Sequence, residues 1–135
     1  IAKQIVKQLI KADIPVKGAK VLILGVTFKE NCSDLRNSKV VDIVNEMLDF
    51  GCDVSIHDPL ASPADALEEY GLALTPWNEI GSVDCIVAAV SHSIYLESGV
   101  NDILSKLNVG GVFIDVKSTY PQKQILDKGY NLWRL

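Results

Sequence analysis

Between Phe28 and Asn37 the sequence reads Phe-Lys-Glu-Asn-Cys-Ser-Asp-Leu-Arg-Asn, a crowd of ionic, amide and aromatic side chains with no apolar periodicity. Phe28 offers a flat stacking surface. Lys29 supplies a compact positive charge and Arg36 a planar fork of N–H donors, the groups that meet phosphate or carboxylate oxygens. Cys32 is the one thiol in such surroundings. A nucleophilic thiolate needs a base or a fixed positive neighbour; Lys29 and Arg36 could supply charge, but no histidine lies nearby in the sequence, so Cys32 reads as structural or incidental. The competing reading of the whole stretch is a solvated loop with two surface cations. Polar segments also follow later apolar runs: Ser91–Tyr95, with His92, and Val116–Tyr120, with Lys117. His92 reads as a residue that orients its loop rather than one that moves protons, and Asp58, ahead of Pro59, as a turn former.

The elements that must position these residues are legible on either side of them. Val21-Leu-Ile-Leu ends at Gly25, an unbroken apolar run of the kind buried on both faces of a parallel sheet. Ser38 is placed to cap a helix over Lys39–Phe50, with Val40, Ile43, Val44 and Met47 at helical spacing and Gly51 at its end. The remaining chain alternates in the same way. Strands are expected at Asp53–His57, Leu72–Leu74, Cys85–Val90, Val112–Asp115 and Tyr130–Trp133. Helices are expected at Pro63–Tyr70, Val100–Leu107 and Pro121–Lys128, with one turn at Trp77–Ile80. Trp77 and Trp133 read as packing residues. Such alternation predicts an α/β fold, a Rossmann-like, doubly wound and mostly parallel sheet flanked by helices on both faces. In strand order 3-2-1-4-5-6 the first, fourth and fifth strands are neighbours, so their three polar loops would line one crevice at the carboxyl ends. Ahead of the sheet, Ile1 to about Asp13 forms an amphipathic helix with Ile5, Val6, Leu9 and Ile10 on one side. Its full amphipathicity at the first residue suggests the tail of a connecting element, giving a division into 1–15 and 16–135.

Composition narrows the function classes. A chain of 135 residues with 48% hydrophobic and 22% charged side chains suits one globular domain. A formal net charge of -4 argues against a general nucleic-acid or acidic-membrane surface. No apolar run approaches a membrane span, and the Lys-rich start is not a signal peptide. Cys32, Cys52 and Cys85 show no CxxC and no metal spacing, as expected of free thiols in a reducing, cytoplasmic setting, with no metal site. After the first strand, Gly25-Val-Thr-Phe-Lys-Glu carries no G-x-G-x-x-G, which disfavours ordinary dinucleotide binding by this chain alone.

Gly25-Val-Thr-Phe-Lys-Glu-Asn-Cys-Ser-Asp-Leu-Arg-Asn-Ser-Lys, followed by His57-Asp58-Pro59, closely resembles the C-terminal domain of the UDP-glucose/GDP-mannose dehydrogenase family. The F-K-x(4)-D-x-R-x-S core is the specific part, and the likeness covers essentially the whole chain. The Thr-Phe-Lys-Glu-Asn-Cys wording is most similar to the UDP-N-acetylhexosamine 6-dehydrogenase branch. The resemblance implies an NAD-dependent, four-electron oxidation of a sugar C6 alcohol to a carboxylate, for surface-polysaccharide synthesis. It implies a partner N-terminal domain that binds NAD, a middle region that carries the catalytic cysteine and dimerises, and a homo-oligomeric whole enzyme. Phe28 and Lys29 match positions that contact the UDP-sugar substrate, and Arg36 the position that reaches the cofactor. Lys117 falls near a basic substrate-contacting position, although relatives often carry Arg where this chain has Lys-Ser. The family's Gly-x-Cys nucleophile motif is absent, so no catalytic residue is assigned and the chain is expected to be inactive alone. Two alternatives stand beside this one. The chain could be a non-catalytic regulatory or interaction module binding another nucleotide or anion, or a cap that completes a larger fold with little direct binding.

Overall fold

A computed structural model describes residues 1–135. Five strands form one sheet, β1 (Lys20–Leu24), β2 (Asp53–His57), β3 (Val83–Ala88), β4 (Leu107–Asp115) and β5 (Asn131–Arg134), in the order β2-β1-β3-β4-β5. Every pairing is parallel, with Leu24 opposite His57 on one side and Ala88 on the other. The helices are α1 (Ala2–Lys11), α2 (Val40–Asp49), α3 (Pro63–Tyr70), α4 (Ser93–Ser98), α5 (Val100–Leu104) and α6 (Gln122–Asp127).

The apolar strand runs are continuous because both faces are covered. Val21 and Ile23 point into one core with Ile5 and Leu9 of α1 and Val44 and Met47 of α2. Leu22 and Leu24 point into the other with Tyr95 of α4, Ile103 and Leu104 of α5, and Ile125 of α6. Period-two alternation of Cβ directions thus divides one uninterrupted hydrophobic run between two cores. Because Ile5 and Leu9 are fully buried, α1 packs into the first core.

Several local expectations are corrected. Leu72–Leu74 is not a strand. The left-handed Gly71 ends α3, Leu72 turns inward, and only the Thr75 N–H reaches β2, at Ile56 O. The observed order is therefore the expected one with its third strand missing, and β2 becomes an edge. Ser38 does not cap α2. It is buried, and its hydroxyl donates to Val26 O at 2.6 Å, which ties the loop's two ends together. Lys39 takes the N-cap position, and no side chain caps the helix. Residues Ser93–Tyr95 open a helix rather than continuing a loop. The expected helix to Leu107 stops at Leu104, where Lys106 and Leu107 are drawn into pairing with β3.

Candidate functional site

β1, β3 and β4 lie side by side, so the segments that leave their carboxyl ends converge. The first crosses close over the second. A Cβ on Gly25 would lie 2.5 Å from Val90 Cβ and 2.8 Å from Val90 O, and Gly25 has φ +89°, so only glycine allows this approach. Beyond it the chain opens into a cleft of about 240 Å³. Phe28 and Lys29 stand on the β1 loop, and Lys39 and Val40 at the start of α2. Ala89 and Val90 follow β3, and Val116 and Lys117 follow β4. The structure thus brings Phe28, Lys29 and Lys117 to one cleft and adds Lys39. Phe28 is 55% exposed despite its size, which leaves a ring face free for a ligand. Three lysines among the lining residues and the uncapped start of α2 make the surroundings favourable to an anion. Lys117 Nζ lies 3.8 Å from Glu30 Oε1; both side chains are half-exposed, so this pair is weak and its lysine remains available.

Arg36 stands apart. It borders an adjoining hollow of about 280 Å³ with Asp34, Asn37 and Phe28, so Phe28 is the wall between the two. Its guanidinium grips Asp34 in a fork, Nε to Oδ1 and Nη2 to Oδ2, both at 3.0 Å, while 77% of the side chain stays exposed. Hydrogen bonding to Arg36 holds the Asp34 carboxyl below its usual range, and Asp34 in turn raises the guanidinium. A larger hollow of about 520 Å³ on the far side of Arg36 is lined by Asp34, Asp65, Glu68 and Glu69. Its carboxylates repel anions, so size alone misidentifies the binding surface.

Behind the cleft lies a buried polar network. His92 is fully buried and Asp58 nearly so. His92 Nε2 lies 2.9 Å from Asp58 Oδ2, which also accepts the N–H groups of Val26 at 2.8 Å and Thr27 at 3.3 Å. The other carboxylate oxygen accepts from Leu60 and Ala61. Asp58 does form the expected turn, and it also grips the end of β1. Burial pushes its carboxyl up, but the bonds from His92, Val26 and Leu60 together outweigh that and hold it below the ordinary carboxylate range. Cys32 is partly buried, and its Sγ accepts the Asp34 N–H at 3.2 Å. No three metal-ligating side chains gather, and no helix is long and apolar enough to cross a membrane.

Residues 22–122 match the model of the UDP-glucose/GDP-mannose dehydrogenase family, UDP binding domain. The chain belongs to that family. It is 42% identical over 117 residues to the UDP-N-acetyl-D-glucosamine 6-dehydrogenase of Pseudomonas aeruginosa, which covers 87% of this chain and 28% of that protein. It is 37% identical over its whole length to Protein CapL of Staphylococcus aureus, covering 31% of that protein. Among solved structures, the NDP-N-acetyl-D-galactosaminuronic acid dehydrogenase of Methanosarcina mazei Go1 superposes with a TM-score of 0.85 at 21% identity. That superposition covers 98% of this chain and 28% of that one, and it shows the shared fold. The chain spans about a third of the length of the curated relatives it matches. In this member of the UDP-glucose/GDP-mannose dehydrogenase family, Phe28 and Lys29 of the motif loop line the cleft.

Sequence reasoning had not assigned Lys39 to the site, nor joined Asp58 to His92. Lys39 carried a usable signal, since it directly follows the motif's Ser38 at a helix start. The Asp58–His92 pair carried none, because 34 residues separate its members.

Proposed function

We propose that this chain is the nucleotide-sugar-binding portion of an NAD-dependent UDP-sugar 6-dehydrogenase that acts on an N-acetylhexosamine. The observation that carries the reading is the cleft itself, an exposed Phe28 ring beside Lys29, Lys39 and Lys117 at the joined ends of β1, β3 and β4. The positive charge of the three lysines suits a diphosphate, and Phe28 gives the uridine or sugar a flat wall. The match to a UDP binding domain favours this reading over an unrelated regulatory module. The relatives' names favour the N-acetylhexosamine branch.

This chain lacks the glycine-rich turn that cradles a dinucleotide, and its residues do not by themselves form an NAD site. Arg36 is assigned to the cofactor side because the family resemblance matches it to the position that reaches the cofactor; it stands across Phe28 from the lysines, with most of its side chain free. NAD supplies hydride acceptance when it is bound elsewhere in the whole enzyme. This chain's residues bind and orient the nucleotide and exclude water around it. The hydride acceptor site and the nucleophilic thiol belong to other domains of the same polypeptide, so the 135 residues alone are inactive. Helix α1 would then be the end of the element leading from those domains.

The test is steady-state kinetics of the full-length enzyme. Lys29→Ala is expected to raise KM for the UDP-sugar about tenfold, ~1.4 kcal/mol, with little change in KM for NAD. Arg36→Ala is expected to do the reverse. Unchanged kinetics in both variants would remove the assignment.

A further inference from the structure

We propose that His92 and Asp58 are positioning residues of the nucleotide-sugar site, a buried pair that sets the shape of the loop presenting Phe28 and Lys29. The proposal rests on the reading of that loop as the substrate wall.

Phe28 and Lys29 are themselves exposed and poorly anchored by their side chains. Their backbone is fixed on both sides. Upstream, Asp58 Oδ2 takes the Val26 and Thr27 N–H groups at 2.8 and 3.3 Å. Downstream, His92 Nδ1 accepts the Asn31 N–H at 3.0 Å, and Asn31 Oδ1 accepts the Ser93 N–H at 2.8 Å. The contact of Nε2 with Asp58 at 2.9 Å closes the circuit, so Thr27 and Asn31 are held from behind by one continuous bridge. Inside the circuit, Thr27 Oγ1 donates to Lys29 O at 3.0 Å. Asn31 itself sits at φ +58°, a left-handed turn that asparagine tolerates and that needs fixing from outside.

The partners dictate the tautomer. Nδ1 faces a backbone donor and must offer a lone pair, so Nε2 carries the hydrogen and gives it to the carboxylate. The two ring nitrogens therefore have separate duties, one for each end of the loop. Asp58 cannot swing away, because its other oxygen is held by Leu60 and Ala61. With His92 at 0% and Asp58 at 7% exposure, a substrate cannot touch the pair, which excludes proton transfer to a ligand. A buried carboxylate held by a neutral imidazole and backbone N–H groups is a costly way to stabilise a core, and apolar residues would serve stability as well. Its placement across the ends of this loop is what the pair provides.

Two conservative variants separate the arms. His92→Gln keeps a donor for Asp58 and loses the acceptor for Asn31. His92→Asn keeps the acceptor and loses the donor. In the full-length enzyme each is expected to raise KM for the UDP-sugar about tenfold while kcat stays within about twofold, the signature of lost ground-state positioning. Ile125→Val, in the opposite core, serves as a control that lowers the melting temperature without moving KM. A folded His92→Gln with unchanged KM would overturn the proposal. Amide hydrogen exchange on the wild-type full-length enzyme needs no variant: the Asn31 and Val26 amides are expected to be protected together, and an Asn31 amide exchanging as fast as Glu30's would also overturn it. Should Lys29→Ala leave KM unaltered, the substrate reading fails, and the exchange result still decides whether the bridge holds the loop.

Discussion

Gly25 shows how much of the site hangs on one missing methyl group. It sits where β1 ends against Val90, at φ +89°, and a Cβ there would overlap both the side chain and the carbonyl of Val90. Gly25→Ala must push apart the β1 and β3 loops that together line the cleft. Left-handed strain and overpacking add to about 3 kcal/mol, so the urea midpoint is expected to fall sharply. Nucleotide binding should weaken in the molecules that remain folded. The equivalent change at Gly18, which also has positive φ but nothing within 4 Å, should cost only the strain. Comparing the two unfolding midpoints separates close approach from backbone conformation.

At the scale of elements, two serines with similar sequence contexts play different parts. Ser62 caps α3, where its hydroxyl accepts the Asp65 N–H at 3.2 Å ahead of Pro63 in the first turn. Ser38 precedes α2 in the same manner but is pulled inward to donate to Val26 O. Ser62→Ala is expected to cost about 1 kcal/mol, with no effect on binding, because α3 lies away from the cleft. Ser38→Ala leaves a buried carbonyl without its donor, worth about 1–3 kcal/mol. It also frees the base of the motif loop, so it should lower both stability and UDP affinity. Thermal melting with and without UDP checks both: the shift produced by UDP should shrink in Ser38→Ala alone. The helix start at Val40 stays uncapped in either case, which suits a terminus that faces a ligand.

For the molecule as a whole, the carboxyl rim of the sheet gathers groups whose protonation is coupled to folding. Burial pushes the His57 imidazole below its ordinary value of 6.5, and the negative charge of Asp58 offsets this only in part. Its ring is held by the Tyr95 hydroxyl, 2.8 Å from Nδ1. The unfolded chain therefore binds a proton at this site more readily than the folded one, and stability falls as pH drops through about 6.5. Asp58 is also held below its ordinary value of 3.8, so its contribution is complete well above that pH and is lost as pH falls through the lowered value. Both groups tilt the same way. Urea midpoints should decline in two stages on acidification, the first near neutrality and the second below about pH 4. His57→Gln should abolish the first stage and leave the second; a single stage in the wild-type chain would contradict the assignment.

The amino-acid order by itself determined the layered architecture, because burial on both faces of a parallel sheet demands unbroken apolar runs and such runs are visible locally. It also marked the motif loop, since Phe28, Lys29 and Arg36 break every apolar period between a strand and a helix. Tertiary structure alone decided which groups meet. Strand register placed Asp58 and His92, 34 residues apart, within one hydrogen bond, and drew Ser38 inward to Val26. It also set Lys29, Lys39 and Lys117 on one side of Phe28 and Arg36 beyond it. Periodicity is a property of neighbours along the chain. Contacts across the ends of adjacent strands depend on pairing, twist and the close crossing at Gly25, none of which any short window of sequence contains.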